Sequence, residues 1–538
     1  MTLLKATRMQ KSWRAGVAAI GLGLAGAMTA SGCLFIYYED DCARTLTCPT
    51  AGAGGTSSAS ASTSTSGTGG ATSGCIPSES QDPVAESCGV FVSSSLGADD
   101  MAGDRGTKTK PFKSIGAALN KADATRIYAC AESFTEAVTI STGVELYGGL
   151  DCKSWEYVGA TTKTELTAAA DLIPLTFGNA AGAVNVEDFA ITAAAVKAPG
   201  GSSIAVLANG ATAKLTRCDL ASGDGMAGKD GDPGAPNGMA AAAGTAGNNG
   251  ADACNGDVVS GNPGGAAVAN MCGGADAVSV GGGGGKGAVT LGSNGDPGQT
   301  GAFGAAGTGE PSAGAWSCNG AEPNGTGDGG DDGKAGDVGP GAAGKGSLSA
   351  TGYAGTNGQP GMLGTPGQGG GGGGGAKGGL ICPANGAGAS GGSGGAGGCA
   401  GKAGSGGAAG GASLALVSYQ ATVLLTDCTL TASKGGSGGK GGNLQVGGPG
   451  GKAGTSGTGK NGSNDSCDGG KGGKGGNGGG GGGGLGGHSL AIAYTGKPVA
   501  KMGKTMLTPG VKGTGGLGGS NMTNAGGDGV AAAEQVFP

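Results

Sequence analysis

The sequence predicts a mainly β fold, a parallel β-helix whose turns are interrupted by large glycine-rich insertions. Three observations carry that prediction. Between Cys88 and Ala221 short strand-like runs follow one another, separated by Gly, Asn or Asp turns and not by helices of crossover length. Two segments 210 residues apart match position for position: Gly201 to Val206 leads into ATAKLTRCDL at 211–220, and Gly411 to Leu416 leads into ATVLLTDCTL at 421–430. Glycine, 135 of 538 residues, is concentrated between and after these copies.

The chain opens with Lys5, Arg8, Lys11 and Arg14, then a small-residue apolar run from Ala15 to Ala30, the layout of an export signal. The run is too short and too broken by glycine to span a membrane. It ends in Ala30-Ser31-Gly32-Cys33, which resembles the lipobox of bacterial lipoproteins with Ala30 where Leu is favoured. That resemblance implies a signal peptide over 1–32, diacylation of Cys33 and a membrane partnership through the lipid. Leu34 after the cysteine points to the outer membrane of the cell envelope. Residues 33–83 form a tether, because Thr50 to Gly74 is almost entirely Ser, Thr, Gly and Ala and cannot bury enough apolar area to offset its ordering entropy. Cys42 and Cys48 close a small loop near its base.

Residues 84–222 are the first folded block. Ile115, Ala118, Leu119 and Ala122 fall at helical spacing within Lys113 to Ala122. Strands are expected at Ile127 to Ala129, Ala137 to Ile140, Val144 to Tyr147, Leu172 to Phe177, Ala183 to Ile191, Ile204 to Leu207 and Ala213 to Leu220. The order GTxxxPF at 106–112, amphipathic helix, IYxxxxxxxEAVTI at 127–140 and GVELYGGL at 143–150 resembles the start of pectate-lyase-like right-handed parallel β-helices. The resemblance implies right-handed coiling and a helix that caps the first turn. It carries no catalytic residue.

The remaining boundaries follow the repeat: an insertion over 223–410, a rung over 411–433, a second insertion over 434–486, and a final rung with tail over 487–538, where GHSLAIAY at 487–494 is a weaker third copy. Closing a loop of about 190 residues costs roughly 4–5 kcal/mol plus a constant, since the penalty grows with the logarithm of length. Each aliphatic side chain that a rung buries returns about 1.5–3 kcal/mol. On strand alternation Ala213, Leu215, Val423 and Leu425 point inward. Cys218 and Cys428 hold equivalent rung positions, about 4.8 Å apart if the rungs are adjacent, which fits a disulfide or two stacked thiols.

Glycine recurs every third residue from Gly352 to Gly370 and from Gly292 to Gly307. Three residues is the period of the polyproline II helix. Collagen is excluded, because the triplets stop after five or six repeats and the chain has 20 Pro. Two readings stay open: disordered low-complexity loops, or polyproline-II-like segments packed through their glycine faces. Cys254, Cys272, Cys318, Cys382, Cys399 and Cys467 lie within these insertions and favour ordering through crosslinks. Fifteen cysteines suit an oxidising compartment, and setting Cys33 aside leaves an even number. The combination of lipobox, Ser/Thr tether, rungs and glycine arrays resembles PGRS-type glycine-rich lipoproteins of myxobacteria, a resemblance that implies location and leaves chemistry open.

A net charge of −6 with 13% charged residues argues against nucleic acid as a partner. No cofactor is expected, and with His488 as the lone histidine and no CxxC a metal site has little to draw on. Asp99, Asp100 and Asp104 form one acidic cluster and Glu187 with Asp188 another, with no arginine set beside either by the repeat spacing. Turn formation explains the first and a solvated strand edge the second. His488 lacks a Ser or Cys partner and is expected to be structural. Trp155 either stacks on a sugar or closes a turn, the latter being preferred. The expected function is a non-catalytic, structural or adhesive role at the cell surface towards a glycan or protein receptor. The alternative is a β-helix protein that binds or cleaves polysaccharide.

Overall fold

In the computed structural model, residues 74–538 are described apart from 81, 101–103, 122, 180–181, 256–259, 274–277, 300–303, 380–381, 383–385 and 521. The expected signal peptide, Cys33, Cys42, Cys48 and nearly all of the expected tether lie outside the described residues.

Parallel pairing organises the chain from Val90 onward. Val90–Val92 precedes a one-turn helix, Ile115–Leu119, whose first turn is capped by the Ser114 hydroxyl accepting from Ala117 N–H. The chain then visits three sheets in rotation. The first turn is Arg126–Cys130, Ser133–Thr135 and Val138–Ile140; the second is Glu145–Leu150, Thr164–Thr167 and Leu175–Phe177. Ala183–Glu187, Phe189–Thr192 and Ser203–Asn209 follow, then Thr212–Thr216, Asp219–Ala221 and Ser413–Tyr419. Thr422–Thr426, Thr429–Thr431 and Ser489–Thr495 form the next turn, and Ala500–Met502, Met506–Thr508 and Ala531–Val536 the last. Each strand pairs in parallel with its equivalent one turn away, and the two repeated segments lie side by side: Ile204 opposite Leu414, Leu215 opposite Leu425.

In-register stacking turns the inward positions into aliphatic ladders. Val186, Leu215 and Leu425 form one; Leu175, Val206, Leu416 and Ile492 another; Ile191, Leu220, Leu430 and Leu507 a third. Ala213, Leu215, Val423 and Leu425 are buried in this core. The expected single strands over 183–191 and 213–220 are each broken in two. Asp188 and Arg217 adopt left-handed backbone angles (φ 61° and 51°) that turn the chain from the first sheet to the second, and Asp427 (φ 53°) repeats the device one turn on.

Residues 75–80 and 82–83, placed within the expected tether, belong to the folded unit. Cys75 is bonded to Cys88, and the Tyr128 hydroxyl donates to the Cys75 carbonyl at 2.8 Å. This segment covers the outer face of the first sheet, where Phe91, Tyr128, Tyr147 and Trp155 pack ring on ring.

Three strands of the third sheet, Ser203–Asn209, Ser413–Tyr419 and Ser489–Thr495, are buried on both faces. Val206, Leu416 and Ile492 point into the core. On the opposite face Ile204, Leu207, Leu414, Val417 and Leu490 pack with Leu348 and Phe537. The glycine-rich insertions cover this outer face.

Candidate functional site

All three long excursions leave the stem at one corner. Residues 222–412, 432–488 and 509–530 each depart after a strand of the second sheet and return into a strand of the third. Successive turns therefore feed their insertions into one shared lobe.

Within that lobe the backbone is extended but forms few strands; two short antiparallel hairpins, Val268–Met271 with Val278–Gly281 and Ser347–Ser349 with Gly352–Ala354, are the exceptions among the described residues. Hydrogen bonding advances by three residues. Gly225, Gly228, Gly231 and Gly234 donate to Lys434, Ser437, Lys440 and Asn443, so these two segments run parallel. The stretch 389–411 is central. Gly410, Gly407 and Gly404 donate to Leu485, Gly482 and Gly479; Gly411, Ala408 and Ser405 donate to Met226, Lys229 and Asp232; Gly394 and Gly391 donate to Gly282 and Gly285. Three residue classes thus serve three different neighbouring segments. Every N–H from Ser390 to Cys399 has an acceptor, Gly397 using the Ser279 hydroxyl at 2.8 Å, so a buried backbone without sheet or helix leaves no donor unpaired there.

The spacing of glycine follows from how closely these segments approach. A Cβ on Gly364 would lie 2.3 Å from the Gly476 carbonyl oxygen, and one on Gly394 1.9 Å from that of Gly370. Along 359–366 the residues between the glycines face outward, Met362 and Leu363 being about two-thirds exposed, whereas in the central stretch Ser390, Ser393 and Ala396 are buried. Aspartates at the rim cap outward N–H groups: Asp224 accepts from Lys434, Asp230 from Lys440 and Asp252 from Thr458, at 2.7–3.0 Å. The Ser433 hydroxyl, with the Lys434 N–H, holds the Asp224 carboxyl below its ordinary range. Three disulfides cross the lobe, Cys254–Cys382, Cys272–Cys399 and Cys318–Cys467, the last joining the first insertion to the second.

The sequence-derived candidates for chemistry fall elsewhere. Asp99 Oδ1 accepts from the Lys113 and Ser114 N–H groups (2.7 and 3.1 Å) at the entrance to the short helix. Asp100 receives the Arg105 guanidinium, with Nε at 2.6 Å, and Asp104 pairs with Lys110. Glu187 and Asp188 meet Arg217: Nε is 2.9 Å from Asp188 Oδ1, and Nη2 is 2.8 Å from both Asp188 Oδ2 and Glu187 Oε2. The expectation that no arginine stands beside either cluster is therefore corrected. Arg105 arrives through a local turn, and Arg217 occupies the corner that stacks on Asp188 one turn below, a neighbour that linear spacing does not reveal. The hydrogen bond to Asp188 holds the Arg217 guanidinium well above its usual range, so it stays a cation and not a base.

His488 is buried between the lobe and the last strand. Nε2 lies 2.7 Å from the Lys345 carbonyl and Nδ1 accepts the Val530 N–H at 2.8 Å, which fixes the neutral ring with its proton on Nε2. Burial lowers its pKa. Trp155 is buried in the aromatic stack and presents no face for a sugar. Cys218 and Cys428 are unjoined, buried thiols on adjacent turns, with Cys428 Sγ 3.4 Å from the Cys218 N–H. No helix among the described residues is long and apolar enough to cross a membrane. The chain matches no protein-family model, no curated protein and no solved structure.

Proposed function

We propose that the protein is exported, anchored through lipid at Cys33 to the outer membrane, and acts at the cell surface as a non-catalytic structural or adhesive protein. Its stem is a right-handed parallel β-helix, the hand that parallel crossovers adopt in nearly all cases. Its lobe is a bundle of polyproline-II-type segments, the conformation whose three-residue turn accounts for three hydrogen-bonding faces in rotation. The observation that carries the reading is the common corner: three excursions emerge between the same two sheets and merge into one crosslinked body, a rigid exposed face on a rigid stalk. The partner is a surface glycan or protein receptor, not nucleic acid.

The competing reading, a protein that binds or cleaves polysaccharide, draws on Glu187, Asp188 and Arg217 clustered at the first corner. Their mutual pairing favours a structural role, since neither carboxylate is left to hold a cation and the guanidinium is held protonated. Two experiments test the proposal. Metabolic labelling with a fatty acid should mark the wild-type chain and not Cys33→Ser. Incubation with acidic polysaccharides should yield neither unsaturated products nor new reducing ends; turnover abolished by Arg217→Ala or by alanine at Asp99, Asp100 and Asp104 would overturn the non-catalytic assignment.

A further inference from the structure

Four cysteines among the described residues are unjoined, and they occur as two neighbouring pairs in different surroundings. Cys218 and Cys428 sit in the dry interior of the stem. There the Cys218 thiol reaches the carbonyls of Val186 and Thr216 (3.5 and 3.4 Å) and the Cys428 thiol those of Leu215 and Thr426 (3.4 and 3.3 Å). Those contacts satisfy both S–H groups, and the surrounding ladders exclude an oxidant.

Cys130 and Cys152 lie at the margin of the first sheet. Cys130 ends its strand opposite Leu150, the Ala131 N–H donates to the Leu150 carbonyl at 2.7 Å, and Cys152 follows two residues later. Their sulfurs and a carboxylate oxygen of Glu132 all lie within 4.8 Å of one another. Glu132 is held in place by the Ser93 hydroxyl, which donates to Oε1 at 2.6 Å. Cys130 is buried, whereas Cys152 is partly accessible, so an attacking reagent reaches one sulfur first.

We propose that Cys130 and Cys152 are a redox site that closes to a further disulfide, tying the first turn of the stem to the second beneath the N-terminal covering segment. The oxidant is a disulfide of the compartment in which the other crosslinks form. Cys152 as thiolate attacks it, one of its sulfurs departs as a thiol, and a mixed disulfide remains. Cys130 then attacks the Cys152 sulfur and expels the second thiol. One S–S bond replaces two S–H bonds, and the two protons and two electrons leave on the reduced reagent. The bond resists reopening. Burial, with the neighbouring Glu132 charge, pushes the Cys152 thiol up to about 11, and burial raises Cys130 as well, so each sulfur is a poor leaving group once bonded.

The test uses the full chain produced by export into an oxidising compartment, denatured and alkylated without reductant, then cut by trypsin. No Lys or Arg lies between Ile127 and Lys153, so both cysteines fall on one fragment. That fragment should carry no alkyl group and weigh two hydrogen masses less than its reduced form, while the Cys218 fragment from the same digest should be alkylated. A doubly alkylated 127–153 fragment would overturn the proposal. So would native mass spectrometry showing a chelator-removable divalent cation lost on Cys130→Ser, because the dithiol and Glu132 would then be a cation site.

Discussion

Replacing Gly364 by alanine adds one methyl group to a segment with no hydrophobic core, and the geometry makes it a severe change. The new Cβ would stand 2.3 Å from the Gly476 carbonyl oxygen and 2.7 Å from that of Asn477, so the segments must separate by about 1 Å to reach ordinary contact. One hydrogen bond spans that approach, Gly476 N–H to Thr365 (2.9 Å), and a second, Gly364 N–H to Gly401 (3.1 Å), holds the same glycine to a third segment. Overpacking of this kind costs about 1–3 kcal/mol, and two weakened hydrogen bonds about 1 kcal/mol each, giving roughly 3–5 kcal/mol concentrated in the lobe. The neighbouring Leu363 is 68% exposed, and Leu363→Ala should change stability by less than about 0.5 kcal/mol. Amide hydrogen exchange reads both: protection across 398–407 and 473–482 should fall by about two orders of magnitude or more in G364A and stay unchanged in L363A. Equal protection in the two variants would refute close packing through glycine.

Arg217→Ala leaves the Asp188 carboxylate, 3% exposed, without its cation; a loss of about 3 kcal/mol in denaturant unfolding is expected, and Arg217→Lys should recover only part of it because the bidentate fork is gone. His488 is held neutral with a lowered pKa, so the unfolded chain binds more protons below pH about 6.5 and stability should fall as pH drops through that point; thermal unfolding of His488→Gln should lose that step. The lowered carboxyls of Asp224 and Asp252 add a further loss only below pH about 4. Reducing the lobe disulfides, whose partners are separated by 127 to 149 residues, should release up to about 4–5 kcal/mol of chain constraint each; the lobe amides should exchange faster while those near Leu175 and Leu215 stay protected. Deleting 224–410 bares Ile204, Leu414 and Leu490, so the shortened chain should self-associate in sedimentation analysis, and threonine at those three positions should restore a monomer.

The stem is largely legible in the sequence because a rung repeats its chemistry. ATAKLTRCDL and ATVLLTDCTL set Leu215 over Leu425 and Cys218 over Cys428. The corners are less legible: Asp188, Arg217 and Asp427 share a left-handed conformation, and although aspartate is enriched there, an aspartate alone does not mark a turn and Arg217 carries no such signal. For the same reason the Asp188–Arg217 pair is hidden from linear spacing, since it joins consecutive turns. The tether's boundary at 83 overran its Ser/Thr/Gly/Ala stretch, which ends at Gly74, because nothing in linear sequence shows that one disulfide and one tyrosine hydroxyl attach Cys75 to the stem.

A further signal stood in the repeat and concerns the lobe. Along the first sheet, strands such as TAKLT alternate between exposed and buried, as one covered face requires. Along the third, SIAVLA, SLALVS and SLAIAY are apolar or small throughout, and these strands are buried on both sides. A strand that needs cover on its outer face must be covered by something, and two of these three strands, Ser413–Tyr419 and Ser489–Thr495, are entered directly from an excursion. The glycine arrays therefore do more than hang from the stem: they form the second wall of its third sheet. His488, at the entry to one of these strands, bridges Lys345 in the first excursion and Val530 at the end of the third. Stem and lobe are in this sense one folding problem, in which aliphatic ladders set the register of the turns and the three-residue glycine period lets the intervening chain pack closely enough to close the open face.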